Sequence, residues 1–203
     1  MSSELTTYKT ISQPAVAEFK DRGSKFIAYA YPVESAEAFK SHLQKLRKEH
    51  PKAVHHCFAY RTGTDGNSFR ASDDGEPSGS AGKPILGQID SRELTNIAII
   101  VVRYFGGSLL GMPGLINAYK TASSLVLQIT PLVTKNIVTK YRVEFDYTKL
   151  NEVLMVIRQC NISVVSQETQ LFCNIEAAIP INRLTEALQR LGEIENLQLI
   201  KLD

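Results

Sequence analysis

The stretch Asn96–Tyr119, NIAIIVVRYFGGSLLGMPGLINAY, limits what this chain can fold into more than any other. Ile97–Val102 is an unbroken apolar run rich in β-branched residues and too short for a lone helix. It reads as a strand buried on both faces. The run then meets Arg103, two aromatics and four glycines within the nine residues Gly106–Gly114. From Pro113 the apolar spacing turns helical, through Leu115, Ile116, Ala118, Tyr119, Ala122, Leu125, Val126 and Ile129. A buried strand that empties through glycines into a helix start is a geometry that exposes backbone N–H groups to an anion. The competing reading is a tight turn with no ligand.

Elsewhere the pattern is mixed. Tyr8–Lys20 and Lys25–Val33 read as a strand hairpin around Asp21–Ser24. A helix follows from Glu34-Ser35 to about Lys48, with Phe39, Leu43 and Leu46 inward and a basic outer face. Val54–Arg61 is the next strand, and its alternation sends His55, Cys57 and Ala59 to one face and His56, Phe58 and Tyr60 to the other. The polar stretch after it reads as a loop, with a short strand at Ser68–Ala71 and a helix at Ser78–Ile89. Thr130–Asn136 reads as a polar connector. Beyond it the order is strand (Ile137–Phe145), helix (Thr148–Cys160), two strands (Ile162–Glu168, Leu171–Ile179), helix (Asn182–Leu191) and strand (Asn196–Leu202). That β-α-β-β-α-β order is the ferredoxin-like pattern. The expectation is an α+β chain of two domains, 1–134 and 135–203.

Charge gives weaker guidance. Residues 1–135 carry 16 Lys and Arg against 12 Asp and Glu (+4), and residues 136–203 carry 7 against 9 (−2). This permits an anionic partner for the first half without requiring one. No apolar run is long enough for a membrane helix and no secretory leader is visible, so a cytoplasmic protein with no membrane partner is expected. The three cysteines lack CxxC spacing and read as reduced thiols.

Several clusters carry potential chemistry. His55 and His56, adjacent on a strand, point to opposite faces, which disfavours both a metal site and a Cys57–His nucleophile pair. Gly75–Lys83 is no P-loop, since Pro77 and Pro84 stand where the motif needs Gly and Ser or Thr. Ser78–Gly82 beside Lys83 still offers a second cradle of backbone N–H groups. Asp73, Asp74 and Glu76 would repel a phosphate; capping of amides and ion pairing with Arg103 or Lys83 are favoured over holding a cation. Arg103 can meet a carboxylate or a phosphate bidentately. Tyr104 and Phe105 can stack a base, though alternation leaves one of them for the core.

These residues resemble a known family. Gly82-x-x-Ile85-Leu86, Ile89, Leu94 and Ile100-Val101-x-Arg103-Tyr104-Phe105-Gly106-Gly107-x-x-Leu110-Gly111 are similar to the signature of the Impact/YigZ family, as are Ser24-Lys25-Phe26, His55-His56-Cys57 and Ser72–Pro77. The resemblance spans the whole chain. It implies a first domain like the second domain of ribosomal protein S-five, and a second like domain five of elongation factor G. It also implies translational control in eukaryotic relatives, through a protein that activates a stress kinase, and a nucleic-acid- or ribosome-linked role in bacterial ones. The resulting candidate ligand-binding set is Lys25, His56, Asp73, Asp74, Glu76, Gly79, Gly82, Lys83, Arg103, Tyr104, Gly106, Gly107, Gly111 and Gly114, with no catalytic residue, metal or cofactor. RNA or the ribosome is the expected partner, with a translation-related protein as another. The alternative is an enzyme or sensor for a phosphorylated small molecule or nucleotide in the same cleft.

Overall fold

The computed structural model describes residues 5–202 as a mixed α+β chain in two compact units. One unit is Tyr8–Lys135; the other runs from Asn136 and takes in residues 5–7. The first is built on a five-stranded antiparallel sheet. Its strands are β2 (Ala15–Asp21), β3 (Ser24–Pro32), β4 (His55–Thr62), β5 (Ser68–Ser72) and β6 (Ile97–Tyr104), in the order β2-β3-β6-β4-β5. β6 is central, as its apolar run demands, and Ile97 to Val102 are all fully buried. Helix α1 (Ala36–Glu49) covers one face, where Phe39 and Leu46 meet Phe58, Tyr60, Ala98 and Ile100. Helices α2 (Gly82–Asp90) and α3 (Gly111–Ile129) cover the other, against Ile97, Ile99, Val101 and Phe26. Each isoleucine so enclosed contributes about 1.5–3 kcal/mol.

Three boundaries differ from the sequence reading. The run Tyr8–Lys20 is two strands, because β1 (Thr7–Ile11) leaves the main sheet before Pro14 and pairs with β7 (Leu132–Asn136). The expected connector Thr130–Asn136 is therefore mostly strand. Helix α2 starts at Gly82, not Ser78, since the Gly79, Ala81 and Gly82 amides bond to the Asp73 side chain instead of to helical carbonyls. Helix α3 starts at Gly111, and Pro113 falls in its first turn, where a missing N–H costs nothing.

The second unit folds β8 (Val138–Asp146), α4 (Leu150–Gln159), β9 (Ser163–Thr169), β10 (Phe172–Pro180), α5 (Leu184–Gly192) and β11 (Gln198–Lys201). Its sheet is antiparallel in the order β11-β8-β10-β9. Val143, Phe145, Ile175, Ala177 and Ile179 bury their face of it against Val153, Ile157, Ala187 and Leu191.

Candidate functional site at the exit of the central strand

Strand alternation aims Arg103 to the α2/α3 face, beyond Val101, at the point where β6 runs out. Its guanidinium is almost fully buried, 5.5 Å from the Phe26 ring and 5.8 Å from that of Phe105. Arg103 Nη1 donates to Glu76 Oε1 at 2.6 Å, and the Tyr119 hydroxyl donates to the same oxygen at 2.7 Å. The one S–H of Cys57 lies within reach of two acceptors, the Asp73 carbonyl at 3.0 Å and the Tyr119 hydroxyl oxygen at 3.3 Å. Burial pushes both the Cys57 thiol and the Tyr119 phenol up, so both stay protonated as donors. His55 lies directly across from Arg103. Its Nδ1–H donates to the Asp74 carbonyl at 2.7 Å, and its Nε2 stands 3.9 Å from Glu76 Oε1.

Arg103, Glu76 and His55 floor a cleft of about 400 Å³ walled by Val54, Pro77, Phe105, Leu109, Leu110, Met112 and Leu115. Phe105, Leu109 and Met112 are 48%, 85% and 46% exposed. The charges among the lining residues are the Arg103–Glu76 pair, with His55 beside it.

The loop before α2 is held by its own carboxylates. Asp73 accepts from Gly79, Ala81 and Gly82 amides at 2.9, 3.0 and 2.8 Å. Burial pushes this carboxyl up, but the three amides outweigh it and hold it below the usual value. Of the cradle expected at Ser78–Gly82, the Gly79, Ala81 and Gly82 amides are thus taken from within, and the Ser80 amide turns back to the Pro77 carbonyl. Asp74 takes a left-handed backbone (φ 43°), accepts from the His56 amide at 2.7 Å and pairs with Arg47 at 2.9 Å. The glycines beyond β6 serve the backbone as well. A Cβ on Gly106 would lie 1.9 Å from the Gly23 carbonyl carbon, and its amide donates to Ser24 Oγ at 3.2 Å. Gly82 abuts Ser72 at 2.6 Å in the same sense.

The family profile of the Impact N-terminal domain matches residues 22–127. This chain belongs to the Impact family. The IMPACT family member YigZ of Escherichia coli (strain K12) is 33% identical over 184 residues, covering 89% of this chain and 90% of that protein. A crystal structure described only as a hypothetical protein is 30% identical, covers 98% of this chain and 99% of its own, and superposes with a TM-score of 0.75. A solved structure of the two-domain translational regulator Yih1 is 30% identical over 60% of this chain and 47% of that one, with a TM-score of 0.36.

In this Impact-family chain only part of the candidate set meets at the cleft. Glu76, Arg103 and Gly111 line it. His56 does not: in register with Val102, it lies on the α1 face, where burial lowers its pKa against the opposing pull of Asp74. Tyr104 shares that face, bonded through its hydroxyl to His50 Nδ1 at 2.8 Å. Lys25 pairs with Glu18 at 2.6 Å, and Lys83 is exposed at the start of α2. Gly79 and Gly107 hold left-handed turns with open space around them, and Gly114 packs on Leu110. The residues missing from that set are His55, Phe105, Leu109, Met112 and Tyr119. Pairing His55 with Arg103 rather than choosing His56 follows from alternation once the strand register is known; the exposure of Leu109 leaves no mark in the sequence. Among the described residues no group of three or more His, Cys, Asp or Glu is placed to hold a metal ion, and no helix is long and apolar enough to cross a membrane.

Proposed function

We propose that this chain is a translation-associated regulatory protein of the cytoplasm that binds RNA or the ribosome at the cleft beyond β6. Membership of the Impact family supports the link to translation, through the control role that the resemblance implies for eukaryotic members. The observation that carries the site is the exposed apolar rim of Phe105, Leu109 and Met112 around a buried, charge-paired floor. A soluble surface seldom leaves such a patch without a partner. Because Arg103 is already neutralised by Glu76, the contact is made by apolar and base-like groups instead of phosphates. The phosphate-ligand alternative is the weaker reading, because Asp73 takes the Gly79, Ala81 and Gly82 amides. The proposal includes a fold assignment: the strand order β11-β8-β10-β9 supports a ferredoxin-like second unit, and the sheet with α2 and α3 a first unit like domain two of ribosomal protein S-five.

The test is co-sedimentation of the full chain with ribosomes across a salt series. Binding should fall only shallowly with salt, since few phosphates are neutralised, and should drop about tenfold or more for Leu109→Asp, which puts a charge into an apolar contact. Sedimentation of L109D indistinguishable from the parent protein removes the cleft from the function.

A further inference from the structure

The formal charges at the cleft cancel, and what surrounds them is apolar. Arg103 and Glu76 pair at 2.6 Å on the floor, and among the described residues no lysine lines the cleft. The two lysines that the sequence suggested for it stand elsewhere, Lys25 tied to Glu18 and Lys83 exposed at the start of α2. The apolar wall also continues past the mouth. Val54 is 54% exposed, and Ile116, 37% exposed, follows Met112 one turn along α3 on the same side of the helix.

This distribution decides between the two macromolecules of a ribosome. A base entering the cleft brings the phosphates on either side of it to the mouth, because the chain links them. Sites for single-stranded RNA meet those phosphates with a cationic groove and stack successive bases on several aromatics. Here the mouth is Val54, Leu109, Met112 and Ile116, and Phe105 is the one Phe, Tyr or Trp among the described lining residues. Phosphates held there would lose water and gain no counter-charge. The core of a protein–protein interface has the opposite make-up, with aromatic residues, Met and Arg enriched and Lys, Glu and Asp depleted. Phe105, Met112 and the neutralised Arg103 fit it, and the flexible thioether of Met112 adapts to what it covers. A volume of about 400 Å³ receives one or two side chains, not a folded surface. The patch reaches beyond the cleft to Ile116, which a free small molecule filling the cleft would leave bare.

We propose that the cleft is a docking groove for protein and not for RNA: it takes one or two neutral, apolar side chains from a protruding segment of a ribosomal protein. This rests on the reading of the cleft as the place where the chain meets the ribosome.

The experiment places the photo-crosslinking residue p-benzoylphenylalanine at Ile116, on the edge of the contact, and illuminates the full chain bound to purified ribosomes. The product should survive ribonuclease and be the chain joined to a ribosomal protein, and adding Leu109→Asp should cut its yield about tenfold or more. Deproteinised ribosomal RNA should not distinguish L109D from the parent chain. A product that ribonuclease removes, a product of two copies of this chain, or no product from either Ile116 or Val54 while sedimentation persists each overturn protein docking. So does an L109D chain that loses affinity for the deproteinised RNA. Ribosome sedimentation sensitive to L109D, with the crosslink on RNA, leaves the contact site standing and sinks this inference. A parent chain that does not sediment with ribosomes removes the reading beneath it, and this inference with it.

Discussion

Gly106 and Gly107 are neighbours with opposite requirements, and replacing each by alanine separates a structural glycine from a merely permissive one. A Cβ on Gly106 would stand 1.9, 2.1 and 2.2 Å from the carbonyl carbon of Gly23, the amide of Ser24 and the carbonyl oxygen of Gly23. All three are main-chain atoms, so no rotamer relieves the clash. The β2–β3 turn and the end of β6 have to part by about 1 Å or more to restore ordinary contact distances. That movement stretches the 3.2 Å bond from the Gly106 amide to Ser24 Oγ, at about 1 kcal/mol, and adds an overpacking cost of about 1–3 kcal/mol. A Cβ on Gly107 meets nothing within 4 Å, and its positive φ of 86° alone costs about 1–2 kcal/mol. Because two units need not unfold in one transition, the readout is hydrogen exchange of peptides covering the β2–β3 turn and the β6 end. Gly106→Ala should accelerate exchange in both peptides, and Gly107→Ala only at the β6 end and more weakly, leaving the β2–β3 turn unchanged. If the two variants exchange alike, or Gly106→Ala behaves as the parent, the close approach is not what fixes that glycine.

Three further outcomes are expected. Glu76→Ala strands a buried guanidinium and the Tyr119 hydroxyl, and should cost about 3–5 kcal/mol in urea unfolding of the first unit; Glu76→Gln, which keeps an acceptor, should cost less. Asp73 is held below the usual carboxylate value by its three amide donors. Its contribution to stability is therefore complete above its unfolded value and lost as pH falls through the lower folded one, and Asp73→Asn should flatten that acid limb of a stability-versus-pH curve. Cys57 is buried and its thiol pushed up in pKa, so at pH 8 it should resist a thiol reagent in the native protein and react once guanidinium unfolds it; rapid native labelling at Cys57 would contradict the placement.

The central strand was legible because six consecutive apolar residues admit few other fates, and β6 is enclosed on both sides as that composition requires. The helical periods of α1 and α3 were legible for the same local reason. What escaped depends on partners distant in sequence. The β1–β7 pair joins residues more than a hundred positions apart, and nothing local in Thr130–Asn136 distinguishes a connector from an edge strand. The start of α2 escaped because Asp73, nine residues earlier, competes for the Gly82 amide. The glycines of the β6 exit were visible as a demand for space, but the sequence does not say whether a ligand or another backbone fills it. For Gly106 the answer is Gly23. The choice between His55 and His56 turned on register: alternation separated them, and only the pairing with Arg103 shows which one reaches the floor.

The Arg103–Glu76 pair does not look like a device for stability. Buried ion pairs are often matched or bettered by apolar residues of the same shape, and the sheet beneath is already complete in Ile97, Ile99 and Val101. This end of the sheet also tolerates an unpartnered buried Arg103 Nε and a left-handed Asp74, each with its own cost. The Asp74 conformation aims a carbonyl at His55 Nδ1, which fixes the tautomer beside Glu76. The contact proposed for the cleft accounts for costs that the fold does not require, gathered there and arranged so that each orients a donor or an acceptor.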